Sequence, residues 1–139
     1  MPDGRTHDAI SVVFLPILVT ILYFIGLSLI PMIIISVAYL FASFMFNGDL
    51  DIQSKPYNRW LILKWIWLPY RSMISHRSIL SHGIIIGTIV RLIYIGIIPL
   101  IFMYLYGFDF TILYDMNVLY ALIGLECGST LHTISDKIF

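Results

Sequence analysis

The sequence predicts an all-α polytopic membrane protein, a bundle of four transmembrane helices with one interfacial amphipathic helix. Hydrophobic residues make up 60% of the 139 residues and charged residues only 12%. The mean hydropathy of +0.94 is far from that of a soluble domain of this size. Long uncharged runs alternate with short polar segments. No repeat or low-complexity tract divides the chain, so residues 1–139 form a single integral membrane domain.

The first two predicted spans share one apolar stretch. A polar head, residues 1–8, is followed by residues 9–46 without a single charge. A bilayer core of about 30 Å needs roughly 20 helical residues, so the stretch divides into two helices. The division is expected between Gly26 and Pro31, because Gly can end a helix and Pro can open one. No small-residue cleavage site follows the first span, so we expect His7 to stay on the mature protein.

The next segment, residues 47–54, breaks the second helix and places Asp49 and Asp51 at the membrane border. An Asp-x-Asp pair on a turn suits a hard or borderline cation, since carboxylate oxygens bind Zn²⁺, Mg²⁺ and Mn²⁺ alike. The plainer alternative is a solvated turn built from Asn, Gly and Asp. The pair alone does not choose between these alternatives.

The segment at residues 56–71 mixes aromatic side chains with Arg and Lys. This composition is typical of a helix in the headgroup layer, with aromatic rings at the interface and basic groups near lipid phosphates. The segment is too short and too charged to span. It is either a structural anchor or a direct contact for a substrate headgroup, and membrane lipids are the expected partners.

A third span is predicted over residues 84–106, and a fourth begins near residue 116 and ends with His132 and Asp136. With four crossings, all eight Lys and Arg residues fall on one half of the protein, and the far loops contain only aspartates. The positive-inside rule makes the basic side cytoplasmic. We therefore expect a multi-pass protein with both termini in the cytoplasm.

The same topology brings every candidate metal ligand to the cytoplasmic face. His132 and Asp136 are four residues apart and share a helix face, whereas His76 and His82 are six apart and need a turn or helix start between them to converge. One histidine at such a border is usually only hydrogen-bonded, but four histidines with nearby aspartates indicate a metal site. The predicted ligands are His7, Asp49, Asp51, His76, His82, His132 and Asp136.

This ligand set is larger than one tetrahedral ion requires. A catalytic zinc takes three protein ligands and keeps one position open. The surplus favours a pair of ions, which can stabilise charge developing on an ester oxygen. Because imidazole favours zinc or manganese over calcium, the expected cofactor is Zn²⁺ (or Mn²⁺), with two ions favoured over one.

Three further charged residues have open interpretations. Arg91 and Glu126 lie deeper than the ligands, where they either neutralise each other as a buried ion pair or leave Glu126 as a general base or additional ligand. Arg77 either grips a substrate anion through paired donors or pairs with an aspartate. The net charge of zero gives no reason to expect nucleic acid, and the single Cys127 excludes an intrachain disulfide.

Several motifs occur in a fixed order along the chain: Gly4-Arg5-Thr6-His7-Asp8, Asp49-Leu50-Asp51, Lys55-Pro56-Tyr57-Asn58-Arg59-Trp60, Pro69-Tyr70, His76-Arg77-Ser78-x-Leu80-Ser81-His82-Gly83, Gly87-Thr88 and His132-x-x-x-Asp136. Together they resemble a bacterial family of uncharacterised metal-binding membrane proteins. The ligand order alone is similar, more distantly, to the YdjM-type membrane-bound metal-dependent hydrolases and, more weakly, to zinc-dependent phospholipase C. One departure is Asn47-Gly48, where that pattern usually has Pro directly before Asp49.

The resemblance implies a metal site in a bacterial inner (plasma) membrane and, by analogy only, hydrolysis. Our hypothesis is a metal-dependent hydrolase of a phosphate ester or lipid-like ester at the cytoplasmic face, with Glu126 and Arg77 as catalytic residues. The alternative is a non-catalytic, metal-stabilised membrane scaffold. A transporter is disfavoured because the far halves of the spans are almost wholly apolar. An enzyme needs an open metal position and a scaffold a closed one, and no sequence feature separates the two.

Overall fold

A computed structural model describes residues 4–138, and every regular element in that range is helical. The all-α prediction is confirmed for these residues. Residues 1–3, which include Asp3 of the predicted polar head, and residue 139 lie outside the described part. The α-helices are α1 (Gly4–Phe24), α2 (Leu29–Met45), α3 (Lys55–Arg59), α4 (Leu68–Met73), α5 (Ile79–His82), α6 (Ile86–Leu105) and α7 (Met116–Ile138). The 3-10 helices are Gly48–Asp51, Leu61–Trp67 and Phe110–Tyr114.

Within residues 4–138, three helices are long and apolar enough to cross a membrane: Gly4–Phe24, Leu29–Asp51 and Ile86–Leu105. The predicted break between the first two is confirmed. Helix α1 ends at Phe24, Gly26 adopts a φ of +81°, and α2 begins at Leu29. Glycine suits this left-handed conformation because it has no Cβ.

The fourth predicted span forms a helix of sufficient length that is less apolar than the other three. Its second half carries Glu126, His132, Asp136 and Lys137. Among the described residues, α7 is therefore not one of the helices apolar enough to cross a membrane by composition. The structure supports three candidate spans, one fewer than predicted.

Helices α2 and α7 pack so closely that their backbones touch. A Cβ built on Gly124 would lie 2.3 Å from a carbonyl oxygen of α2, and one built on Gly128 would lie 2.5 Å from another. Small residues four apart permit this close approach between apolar helices. His132 and Asp136 continue the same spacing, so the face of α7 that packs on α2 also carries both side chains towards the end of α2.

Helix α1 is attached to α2 by a buried hydrogen bond. The Tyr39 side chain is fully buried, and its hydroxyl donates to the Ser11 carbonyl oxygen at 2.8 Å. His7 precedes Ser11 by one helical turn, and both residues are buried. The contact therefore fixes the rotation of α1 that turns His7 inwards.

The predicted interfacial helix at residues 56–71 is not continuous. It consists of α3, a 3-10 helix and α4, because Leu61 adopts a φ of +51° that interrupts an α-helix, and Pro69 lies in the first turn of α4. The segment still has two faces. Trp67 and Tyr70 are buried in an aromatic core, whereas Trp65 is 65% exposed.

Candidate metal centre

The turn after α2 holds two carboxylates inside the protein. The Asn47 side chain accepts a hydrogen bond from the Asp49 N–H at 3.1 Å, and its amide donates to the Ser43 carbonyl oxygen at 2.8 Å. Asp49 is 8% exposed and Asp51 is 5% exposed. Burying two carboxylates is costly without positive partners. The solvated-turn alternative for these aspartates is therefore wrong.

Four side chains converge beside this turn. His82 Nε2 lies 3.5 Å from Asp49 Oδ1 and 3.6 Å from Asp136 Oδ2. His132 Nε2 lies 3.5 Å from the same Asp49 oxygen and 3.4 Å from the same Asp136 oxygen. A tetrahedral zinc with ligand bonds of about 2.0–2.1 Å holds neighbouring donor atoms about 3.3–3.4 Å apart. We call these four residues the first ligand group, and the observed spacing fits such a site.

The donor atoms of the first ligand group are buried, and none makes a well-formed hydrogen bond within the described residues. An unsatisfied buried polar atom costs about 1–3 kcal/mol, and native proteins seldom leave several of them together. A divalent cation among the four atoms satisfies all of them at once. The two imidazoles and two carboxylates therefore fit a bound metal ion.

A second ligand group consists of Asp51, His76 and His82. It lies at Nδ1 of His82, whereas the first ligand group lies at Nε2. His76 Nδ1 lies 2.8 Å from Asp51 Oδ1. His82 Nδ1 lies 3.6 Å from Asp51 Oδ2 and 2.9 Å from the Ser81 hydroxyl oxygen. Asp51 can hold a second ion with the two histidines, or it can orient the His82 ring, as carboxylates often do behind metal-binding histidines. The pair of ions stays a prediction.

His7 lies beside the first ligand group and in neither group. Its Nε2 is 3.1 Å from Asp136 Oδ1, its Nδ1 is 2.8 Å from the Ser135 hydroxyl oxygen, and its ring centre is 4.3 Å from that of His132. His7 therefore contacts one carboxylate oxygen of Asp136, while the other oxygen faces His82 and His132.

The helix start predicted between His76 and His82 is confirmed. Helix α5 begins at Ile79, directly after Ser78 in extended conformation, and Arg77 adopts a φ of +59°. This sharp turn brings the two histidine rings to a centroid distance of 5.2 Å. A residue spacing that is poor within one helix thus becomes a convergent pair.

Gly48 provides the space for the central histidine ring. A Cβ on Gly48 would lie 2.7 Å from Cδ2 of His82. Only glycine therefore lets the imidazole lie against the turn that carries Asp49. Sequence reasoning treated this glycine as a turn former and missed its contact with a ligand. The departure from Pro before Asp49 is the signal that could have found it.

Comparison with known proteins agrees with a metal site. The family model described as "Uncharacterized metal-binding protein (DUF2227)" matches residues 2–117. The chain belongs to the DUF2227 family. The match covers α1 to α6, while His132 and Asp136 of α7 follow it. The family description thus supports metal binding and leaves the identity of the metal open.

One similar protein comes from Aquifex aeolicus (strain VF5) and is described as "Uncharacterized protein". The DUF2227 chain is 40% identical to it over 60 residues, which are 42% of this chain and 42% of the relative. The matched part therefore spans less than half of that relative. No solved structure matches the chain. The more distant resemblance to YdjM-type hydrolases is not shown by these matches.

A small pocket in the DUF2227 protein reaches the first ligand group. It has a volume of about 150 Å³ and is lined by Arg77, His82, Thr133, Asp136 and Lys137. The alternative in which Arg77 pairs with an aspartate is not formed within the described residues. Sequence reasoning missed Thr133 and Lys137, although each directly follows a predicted ligand.

Glu126 is not brought to either ligand group. Its Oε1 accepts hydrogen bonds from the Ile85 N–H at 2.9 Å and from the Thr130 hydroxyl at 2.7 Å. Ile85 has a φ of +66°, a strained conformation for a β-branched residue, so Glu126 stabilises the turn that opens α6. A catalytic role for Glu126 stays a prediction without support from this geometry.

Arg91 does not pair with Glu126 in the DUF2227 structure. The fully buried guanidinium donates hydrogen bonds to the Ser81 carbonyl oxygen at 2.6 Å and to the hydroxyls of Thr88 and Ser129. Hydrogen bonds from a charged donor are stronger than those between neutral groups. Arg91 therefore joins α5, α6 and α7 and fixes the short helix that carries His82.

Proposed function

We propose that this protein is a metal-dependent hydrolase of a phosphate ester or lipid-like ester at the membrane surface. One observation carries the proposal: the pocket lined by Arg77 and Lys137 opens onto His82 and Asp136. A structural metal site is closed by its ligands, whereas a catalytic site needs space beside them for substrate and water. The pocket supplies such space.

The proposed cofactor is Zn²⁺ or Mn²⁺, because two imidazoles and two carboxylates suit these ions better than Ca²⁺. His82, His132, Asp49 and Asp136 would hold the first ion, and Asp51 with His76 would complete a second position or orient His82. When bound, the metal supplies Lewis-acid activation of water and of the ester. The YdjM-type resemblance supports the same reaction class by ligand order alone.

The side chains around the metal position have different roles. His7 holds the carboxylate of Asp136, since it contacts the oxygen that faces away from the first ligand group. The Ser81 hydroxyl, 2.9 Å from His82 Nδ1, orients the ring of His82, and the Asp51 carboxylate lies 3.6 Å from the same nitrogen. Arg77, with donors that match an oxyanion, would hold the substrate anion in the pocket. We assign no step to Glu126, because its carboxylate is occupied at Ile85.

We also propose four membrane crossings, with the ligand groups and both termini on the cytoplasmic side of the bacterial inner membrane. Helix α7 would cross beside α2, against which Gly124 and Gly128 pack. All eight Lys and Arg residues lie on the half that contains the ligands, which supports a cytoplasmic placement by the positive-inside rule.

Reporter fusions test this orientation. A fusion after Phe139 is expected to report the cytoplasm, and a reporter inserted between Gly107 and Asp115 is expected to report the opposite side. The physical reason is the exclusive presence of basic residues on the proposed inner half. A matching signal from both positions would show that the four-span count is wrong.

A rival function is a metal-stabilised membrane scaffold. It is favoured by the near-complete burial of the four donor atoms and by their number, because four protein ligands are typical of a closed structural zinc site. Purified protein should be assayed on phospholipids, lipid phosphates and generic esters, with and without chelator, beside a His132→Ala variant. We expect turnover that chelator and the variant each reduce to background. Absence of turnover on every substrate, together with loss of metal and thermal stability in the variant, would instead establish the scaffold.

A further inference from the structure

We infer that the pocket beside the first ligand group binds the phosphoryl group of a phosphate monoester, between Arg77 and Lys137. The inference rests on the proposed hydrolase function and narrows its substrate class. The pocket is lined by two cationic residues, Arg77 and Lys137, together with His82, Asp136 and Thr133. An anion in it would therefore contact the cations and the metal position together.

The two cations have no anionic partner of their own. Among residues 4–138, no carboxylate oxygen lies within 4.0 Å of the charged nitrogens of Arg77 or Lys137. Lys55 and Arg59, in contrast, both bind Asp8. Within the described residues, the pocket thus presents two positive charges that are in ion-pair contact with no carboxylate.

Charge balance favours a dianion in this pocket. A divalent metal would neutralise the two carboxylates of the first ligand group, Asp49 and Asp136. The remaining carboxylate of the two groups, Asp51, is paired with His76 and is not one of the residues that line the pocket, so within the pocket the charges of Arg77 and Lys137 are left to be matched. A phosphate monoester carries close to two negative charges at neutral pH, because its second pKa is about 6. A phosphate diester carries only one charge. The monoester is therefore the better electrostatic match.

The size of the pocket agrees with this choice. A volume of about 150 Å³ equals the share of about five water molecules in the liquid. That space accepts a tetrahedral oxyanion with one substituent leading outwards.

The backbone at Arg77 is adapted to this position. Its φ of +59° is uncommon for a residue with a Cβ and persists only where the surrounding structure holds it. The turn directs His76 to Asp51 while its neighbour Arg77 lines the pocket. One strained residue thus lets adjacent side chains serve the second ligand group and the anion pocket.

Calorimetry with methyl phosphate tests the inference on zinc-loaded protein in nanodiscs of phosphatidylcholine. Arg77→Gln and Lys137→Gln are each expected to raise the Kd at least tenfold, because each removes one positive charge from a residue that lines the pocket. Lys64→Gln, which removes a charge from a residue outside the pocket lining, should leave the Kd for methyl phosphate unchanged. Dimethyl phosphate should bind the unmodified protein at least tenfold more weakly than methyl phosphate.

A second arm identifies the source of the monoester. The calorimetric titration is repeated in nanodiscs that contain phosphatidic acid. A tenfold weaker apparent affinity for methyl phosphate in these discs shows that the lipid phosphate occupies the pocket. An unchanged affinity shows that the pocket takes a soluble monoester. Either result supports a phosphoryl monoester as the ligand class.

The inference is overturned if Arg77→Gln and Lys137→Gln both bind methyl phosphate like the unmodified protein, or if dimethyl phosphate binds equally well. Zinc content of the two variants, measured in parallel, shows that they remain folded around the metal. Hydrolysis of diesters alone would overturn this inference while the proposed hydrolase stands. If phosphate binding depends on Arg77 and Lys137 but no ester is hydrolysed, the inferred phosphate site is supported and the proposed hydrolase activity is contradicted.

Discussion

The unmodified protein is expected to bind one to two equivalents of metal per chain. Replacing His82 with alanine is expected to reduce the bound metal to background. His82 is the one residue shared by the two ligand groups, so its loss removes a donor from both. Elemental analysis of protein extracted in detergent measures the effect. His82→Asn serves as a second variant. Asparagine keeps a polar side chain at this position, so its metal loss can be separated from misfolding more clearly than that of alanine.

The matched comparison is His76→Ala. His76 belongs only to the second ligand group, and its side chain is partly exposed. We expect this variant to keep the ion of the first group and to lose at most one equivalent. Equal, complete metal loss in both variants would contradict the division into two groups. Metal retained at the unmodified level in His82→Ala would contradict the site itself.

Metal removal should also lower thermal stability in the unmodified protein and leave His82→Ala unaffected. A ligand present at 100 times its Kd stabilises the folded state by about 2.7 kcal/mol. Thermal unfolding with and without chelator measures the difference. The same melting temperature under both conditions in the unmodified protein would exclude tight metal binding to the folded state.

Gly48→Ala is expected to weaken metal affinity by about 10- to 100-fold, the usual cost of disturbing groups that orient metal ligands. The added Cβ would come within 2.7 Å of His82 and must displace its ring. Gly96→Ala is the control, since a Cβ there has no atom within 4 Å. Competition with a fluorescent zinc chelator measures both Kd values. Equal affinity in the two variants would show that the ring tolerates displacement.

The sequence predicted which residues come together at the candidate metal centre better than it predicted the local backbone geometry that brings them together. Apolar runs and polar borders locate the ends of the long helices to within a few residues, so His7, Asp49 and His132 could be placed together by counting residues. Helix α1 nevertheless begins at Gly4, within the predicted polar head. The interruption at Leu61 could not be predicted, because a positive φ in an apolar residue reflects tertiary packing and has no local sequence signal.

The contacts of Glu126 show the same limit of prediction from sequence. Its depth in α7 could be counted, but its partner is a backbone N–H exposed by the unusual turn at Ile85. Arg91 likewise bonds with neutral groups that include the Ser81 carbonyl oxygen. Such contacts depend on helix rotation and on turn geometry within about one residue, which composition and spacing do not specify.

The contact between His7 and Ser135 joins positions 128 residues apart, and this separation has a consequence for biosynthesis. At about 5–20 residues per second, a ribosome needs roughly 6–25 s between making the two residues. Asp49 and His82 are made within that interval, before their partners His132 and Asp136 in α7. The first ligand group can close only after α7 has joined α2, so stable metal capture follows translation of the last helix.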